Sequence, residues 1–509
     1  MGLPFANAKA QRAPVSWASA WPEVLGLAAT LALAAMLTFL LGKNLHYSVA
    51  FVFGIWVVLL AVMNPLLLLT LFVAQLPLVP RWGEVLGVRV PDLMTPVAVV
   101  LALAALARAL ALRRRDLLRP RLLDVLILLF LGAVWLSIWP DDTAPALQKH
   151  FLQSMLVPAL FYFAVRWLAP NRRTIISLLA ALSLSAIGLS VVMLIEAAAR
   201  RSIFYSDVSA QYAVGGLYQP GAALGGPTLA GAFLAAVLPL YLYFGRLSPN
   251  VVVTDQRYGR LASWAQVLSP FAAIAALLGI GICLERAVWV GAAVGLLVCV
   301  TAKWLRARAL MVLGLAVFVP LALWVFAGDA WLHQRALETD NLTDRMRMIR
   351  GAIAVLGSEE WRPTLGIGLG HFSQIGYRYM PPVSRFEDDL PEADMGRPIH
   401  NDYLNVAVET GIIGAAAFYA LVLVILFQFA KLLWPAGKAR ARPNRGQTVD
   451  KPLIIVLFGA VLSVLSLAIS HNTLSEAQLM ALFWILVGLV VSQRTRPIAE
   501  EVPRGAAGR

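Results

Sequence analysis

Apolar runs of about 17–25 residues alternate with short polar breaks along nearly the whole chain, and that is the length at which an α-helix crosses the hydrocarbon of a bilayer. Spans are expected near 22–42, 47–62, 65–80, 93–111, 122–139, 151–168, 174–194, 223–245, 266–282, 286–302, 309–327, 403–430, 452–470 and 474–492. Asn64-Pro65 interrupts the second and third of these, and either breaks a short helical hairpin or kinks one long tilted helix. The fold expected is an all-α polytopic membrane protein with about 12–14 transmembrane helices. A membrane barrel would need short segments of alternating polarity instead.

The breaks divide into two sets. Those at 112–121, 169–173, 246–265, 303–308 and 431–451 carry clusters such as Arg113-Arg114-Arg115, Arg172-Arg173 and Lys438 to Arg445. Basic loops stay cytoplasmic, so these fall inside, together with both termini when 47–62 and 65–80 count as two spans; counted as one, they put the N-terminus outside. The breaks at 140–150, 195–222, 328–402 and 471–473 then fall outside. The resulting organisation is a cytoplasmic tail over 1–21, helices over 22–327, one large periplasmic loop over 328–402, helices over 403–492 and a cytoplasmic tail over 493–509. The first tail holds Lys9 and Arg12 but no apolar core, which predicts an uncleaved anchor in the first span.

Composition agrees with this division: 60% hydrophobic, 14% charged and a mean hydropathy of +0.75 exclude a soluble globular protein of ordinary composition. The net charge of +14 sits at helix ends, where it serves topology and contact with anionic lipid rather than nucleic acid. Cys283 and Cys299 both lie in apolar runs and are expected to be packing residues.

The long outer loop has structure of its own. Asn341 to Gly357 opens on a helix-start signal in Asn341 or Thr343. It then places Met346, Ile349, Ile353 and Leu356 at helical spacing, predicting an amphipathic helix along the membrane surface. Gly366-Ile367-Gly368-Leu369-Gly370 permits tight turns but follows no strand, so it is no dinucleotide fingerprint. Pro381-Pro382 and the acidic stretch at 387–394 precede His400. His371 and that stretch have no spacing that names a metal site, and no metal or cofactor is expected. Gly215-Gly216, Pro220, Gly221, Gly225-Gly226 and Pro227 form another outer break that bends sharply into the next span.

Two residue types stand out chemically. His400 opens a helix at the outer face, where an imidazole can act as a base near neutral pH or serve as a capping or solvated side chain. Arg286 interrupts two apolar runs at the outer membrane edge. A cation there is either neutralised by Glu285 or left to grip an anionic headgroup, since guanidinium binds phosphate through paired hydrogen bonds. Arg345, Arg347 and Arg350 share the polar side of the surface helix, with an interfacial role as the simpler reading.

Four stretches together resemble the O-antigen ligase and polymerase superfamily of bacterial surface polysaccharide assembly. They are GGPTLAGAFLAAVLPL at 225–240, LERAVWVGAAVGLL at 284–297, DRMRMIRGAIAVL with PTLGIGLGHF within 344–372, and HNDYLNVAVETGIIG at 400–414. The resemblance implies a GT-C-like architecture, His400 as the catalytic base, and Arg286 and Arg345 as the arginines facing the diphosphate. Glu285 stands where that family usually has a small hydroxyl residue.

The activity implied is an inverting glycosyltransferase at the outer face of the bacterial inner membrane, working without metal or other cofactor. It would move a glycan from undecaprenyl diphosphate onto a sugar hydroxyl of lipid A core or of a growing polysaccharide. Its other partners would be membrane lipids, with no nucleic acid. Protein O-oligosaccharyl transfer is the alternative within the same chemistry, and a transporter or flippase of lipid-linked sugar is the alternative outside it. Against transport, the two halves show no paired repeat, and Arg108, Arg166, Glu196 and Arg286 lie near span ends.

Overall fold

The computed structural model describes residues 45–78, 94–139, 143–204, 213–214, 217–245, 256–303, 305–315, 340–381, 398–433 and 450–492. The expected first span, most of 309–327, the two tails, Gly215-Gly216 and the acidic stretch at 387–394 lie outside these residues. Within them the chain is an all-α, multi-pass membrane protein. Its helices are α1 (Leu45–Met63), α2 (Pro65–Gln75), α3 (Met94–Ala111), α4 (Leu122–Leu136), α5 (Ala144–Leu168), α6 (Arg172–Ala199), α7 (Pro227–Phe244), α8 (Gln256–Ile282), α9 (Arg286–Val300), α10 (Asp340–Leu356), α11 (Asp402–Leu433), α12 (Lys451–Leu467) and α13 (Ala477–Ser492).

Among the described residues six helices are long and apolar enough to span by themselves, drawn from α3, α5, α6, α7, α8 and α11. Others are shorter than the sequence pattern suggests. Asn64 ends α1 and caps α2 through its side chain, leaving α2 only 11 residues long, well short of the roughly 20 a crossing needs. The π turn at Leu152–Leu156 lies inside α5, just before Pro158. A two-residue antiparallel ladder pairs Ala213 with Tyr218 and Val214 with Leu217.

Helix α7 is the axis of the bundle, with nearly every side chain buried. Small residues bring its neighbours close. A Cβ on Gly231 of α7 would meet Cys283 Sγ at 2.8 Å, and one on Gly279 of α8 would meet Leu234 at 2.6 Å. Helices α9 and α12 touch backbone to backbone, since a Cβ on Gly459 would lie 2.6 Å from the Gly295 carbonyl oxygen. That contact fixes α9 in register with α12. Gly291, five residues into α9 from Arg286, packs on Leu467, the last residue of α12.

The two sets of breaks gather at opposite ends of the bundle. At the basic end Arg172 bridges to Asp450 at 2.7 Å, Tyr243 donates to the same carboxylate at 2.8 Å, and Arg121 reaches the Val491 carbonyl at 3.1 Å. Buried Arg166 pairs with Asp124 at 2.7 Å nearby, which Tyr162 also hydrogen-bonds at 2.8 Å. At the other end the buried Glu196 carboxylate accepts from Ser202, from the Ile203 N–H and from the Ala222 N–H, fastening the end of α6 to the turn that leads into α7.

Helix α10 covers the expected surface segment, but with two apolar faces rather than one. Met348, Ala352 and Val355 are buried, the last two in a small core with Ile367, Phe372, Ile399 and Val408. Met346 and Ile353, two of the residues expected to face the membrane, are exposed on the other side. Both free cysteines are buried, as their apolar surroundings predict.

Candidate functional site

The glycine-rich turn and the start of α11 form one unit. Ile367 N–H donates to the Val408 carbonyl at 3.0 Å, Gly368 N–H to the Glu409 carbonyl at 3.0 Å, and Ile412 N–H to the Pro363 carbonyl at 2.7 Å. Helix α11 is kinked where these bonds are made, at Gly411, whose φ is +65. Gly366 has φ +69, and a Cβ there would lie 2.4 Å from the Val408 carbonyl oxygen. A Cβ on Gly411 would in turn lie 2.6 Å from the Gly366 nitrogen, so the close approach needs glycine at both positions. The buried Glu409 carboxylate closes the unit by accepting from the Gly370 and Phe372 N–H groups and from Asn405 at 3.2 Å.

His400 stands at the head of α11, one residue before Asn401, which caps the helix by accepting the Leu404 N–H at 2.9 Å. Buried Ile399 anchors the preceding backbone in the small core under α10. Against the His400 ring lies His471, from the turn between α12 and α13, with ring centroids 5.6 Å apart and planes 25° apart. His471 Nδ1 is 3.0 Å from the Ser470 carbonyl. A carbonyl can only accept, so Nδ1 carries the proton and Nε2 the lone pair.

Arg286 is the first residue of α9 and Arg345 lies in the first turns of α10. Arg345 approaches Glu285 at 3.9 Å. Burial lowers the Arg345 pKa from the ordinary guanidinium value, Glu285 opposes that, and the like charge of Arg286 adds to it. Burial likewise pushes the His471 imidazole down to about 4; the Ser470 carbonyl opposes the shift, while His400 and Arg345 reinforce it. Geometry ties two pairs, Arg345 to Glu285, beside Arg286, at 3.9 Å and His400 to His471 by ring stacking, and the two pairs lie within electrostatic reach of each other, since the Arg345 charge acts on His471.

Glu285 shapes this group. It offers a carboxylate to Arg345, so an incoming anion must compete with it there. Arg347 turns aside to the Pro381 carbonyl at 2.8 Å and to Asp344 at 3.6 Å, and Arg350 is exposed. His371 is buried away from the group, its Nδ1 on the Leu369 carbonyl and its ring beside Trp139. Among the described residues no cluster of three His, Cys, Asp or Glu side chains is arranged to hold a metal ion.

Sequence reasoning missed His471, and it reads Asp402, with Asn401 and Tyr403, only as a polar neighbour able to hydrogen-bond His400 and fix its tautomer, whereas the Asp402 carboxylate serves the turn at Thr473 and Leu474. Asp402 is fully buried and accepts the Thr473 N–H at 2.7 Å, the Leu474 N–H at 3.1 Å and the Thr473 hydroxyl. Its own N–H donates to the Ala468 carbonyl at 2.8 Å. The alternation of basic breaks had put the 471–473 turn on the same side as His400, and that was the available signal.

Chemically the group combines an imidazole able to take a proton with two guanidinium groups able to meet developing negative charge on a phosphate. Residues 271–419 match the family model described as O-antigen ligase. The match takes in Arg286, Arg345 and His400 and three of the four stretches that carry the resemblance, 225–240 lying outside it; it supports a glycosyltransferase of the O-antigen ligase type. No curated protein matches the chain.

Proposed function

We propose that the protein transfers a glycan from undecaprenyl diphosphate to an acceptor sugar hydroxyl at the periplasmic face of the inner membrane. The observation that carries this reading is the neighbourhood of Arg286, Arg345 and His400 at the end of the bundle opposite the basic breaks. The hydroxyl oxygen attacks the anomeric carbon as His400 removes its proton. The bond from that carbon to the diphosphate breaks, and the electron pair leaves with the diphosphate. Arg286 and Arg345 stabilise that charge, each contributing on the order of 10²–10³ in rate if preorganised like other anion-stabilising donors. One displacement inverts the anomeric centre, and the step as drawn uses neither nucleotide nor metal.

The filled interior around α7 favours catalysis at the membrane surface over transport through a central cavity. Deleting the gene and resolving the surface polysaccharide on a gel tests the function. Long chains stranded on the carrier lipid identify a ligase, while loss of long chains with one repeat still attached identifies a polymerase. An unchanged profile overturns the proposal. His400→Ala should lower transfer by about 10²–10⁴ with the protein still in the membrane, and wild-type turnover would remove the base assignment.

A further inference from the structure

We propose that His471 is a positioning residue for the transfer step: its ring, stacked on His400, holds the plane of the base while remaining outside the bonds that form and break. This rests on the reading of His400 as the base. The geometry is that of an offset ring pair, at 5.6 Å and 25°, within the 4.5–7 Å range in which aromatic rings attract one another.

What makes the stack a fixed device is the way its two halves are tied. His400 lies two residues before Asp402, and His471 two residues before Thr473. Asp402 binds Thr473 and Leu474 through its carboxylate and Ala468 through its N–H. Tyr403 adds a bond from its hydroxyl to the Leu465 carbonyl at 3.1 Å. The head of α11 is thus pinned to the chain on both sides of His471.

The charge pattern suits the same role. Facing His471 are His400 and Arg345, and Glu476 lines the small cleft it shares with Thr228 and Thr473. Held near 4 by burial, the His471 ring stays uncharged at neutral pH, so a proton taken from the acceptor rests on His400. A neutral aromatic face beside an imidazolium attracts it, whereas a second charged ring would repel it. The requirement is therefore for a flat aromatic ring, not for a second titrating group.

Phenylalanine meets that requirement and alanine does not. Membrane vesicles from a gene-deleted strain carrying wild-type, His471→Phe, His471→Ala or His400→Ala protein would be followed for consumption of their own lipid-linked glycan. Undecaprenyl diphosphate would be the probe for donor binding, read as the thermal shift it induces in each purified protein. His471→Ala should slow consumption by about 10–100-fold, while His471→Phe stays within about threefold of wild type and the diphosphate-induced shift is the same in all. Wild-type rate in His471→Ala, or His471→Phe as slow as His471→Ala, overturns the proposal. So does loss of the diphosphate-induced shift in His471→Ala, which would make it a binding residue. His400→Ala turning over at the wild-type rate would instead overturn the base assignment on which the proposal stands.

Discussion

Asp402 and Thr473 are 71 residues apart in the chain, yet one carboxylate oxygen of Asp402 accepts both the backbone N–H and the hydroxyl of Thr473. The bond joins the helix that begins beside His400 to the turn that carries His471. Both residues are buried. Asp402→Ala would leave the Thr473 and Leu474 donors buried and unpaired. The expected loss is about 3 kcal/mol or more of stability, by the cost of orphaned buried donors. A melting curve of the purified protein checks it, and transfer activity should fall with it because both imidazoles lose their common anchor.

Glu285 stands 3.9 Å from Arg345 and competes with any anion for that guanidinium. Both side chains are partly exposed, which limits the strength of the pair. Glu285→Gln should therefore tighten donor use modestly, lowering the donor KM by about two- to fivefold with kcat little changed. Arg345→Ala should act in the opposite direction and raise it. Donor titrations of the two variants side by side check both signs, and equal effects in one direction would remove the competition.

The lowered pKa of His471 gives an acid dependence with a definite sign. In the unfolded chain a histidine takes up its proton near pH 6.5, whereas in the folded protein His471 does so at about 4. Between those values the unfolded state binds more protons, so folded stability falls as the pH drops from 6.5 towards 4 and this contribution levels off below that. His471→Phe removes the group. Melting temperatures at pH 7.5 and 4.5 should differ less in the variant than in wild type.

Gly366 and Gly411 test the close contact between the glycine-rich turn and α11. Alanine at Gly366 would meet the Val408 carbonyl oxygen at 2.4 Å with φ at +69. The cost should be about 2 kcal/mol or more from the left-handed conformation and the clash together. Gly132, in α4, has nothing within 4 Å of an added Cβ. Gly132→Ala should leave the melting temperature unchanged or slightly raised, since alanine is the better helix former.

Much of the bundle is legible in the sequence alone. The lengths of apolar runs fix helices because a backbone in hydrocarbon must satisfy its own hydrogen bonds, a local constraint that a linear pattern records. The same holds for the basic breaks, whose residues meet at one end as Arg172 with Asp450 and Arg121 with Val491. It holds less well for α10. Its helical spacing is readable, but whether Ala352 or Ile353 turns inward depends on Phe372 and Ile399, which lie on other segments.

The sequence by itself determined that this chain is a membrane bundle of helices, with a histidine and two arginines on polar breaks expected on the same side. Tertiary structure decided what stands beside them. Arg345 meets Glu285 because α9 and α10 converge there, and His400 meets His471 because Asp402 ties α11 to a turn 71 residues later. Hydrophobic periodicity is a property of neighbouring residues. A hydrogen bond between remote segments depends on how the helices pack, and no spacing along the chain announces it.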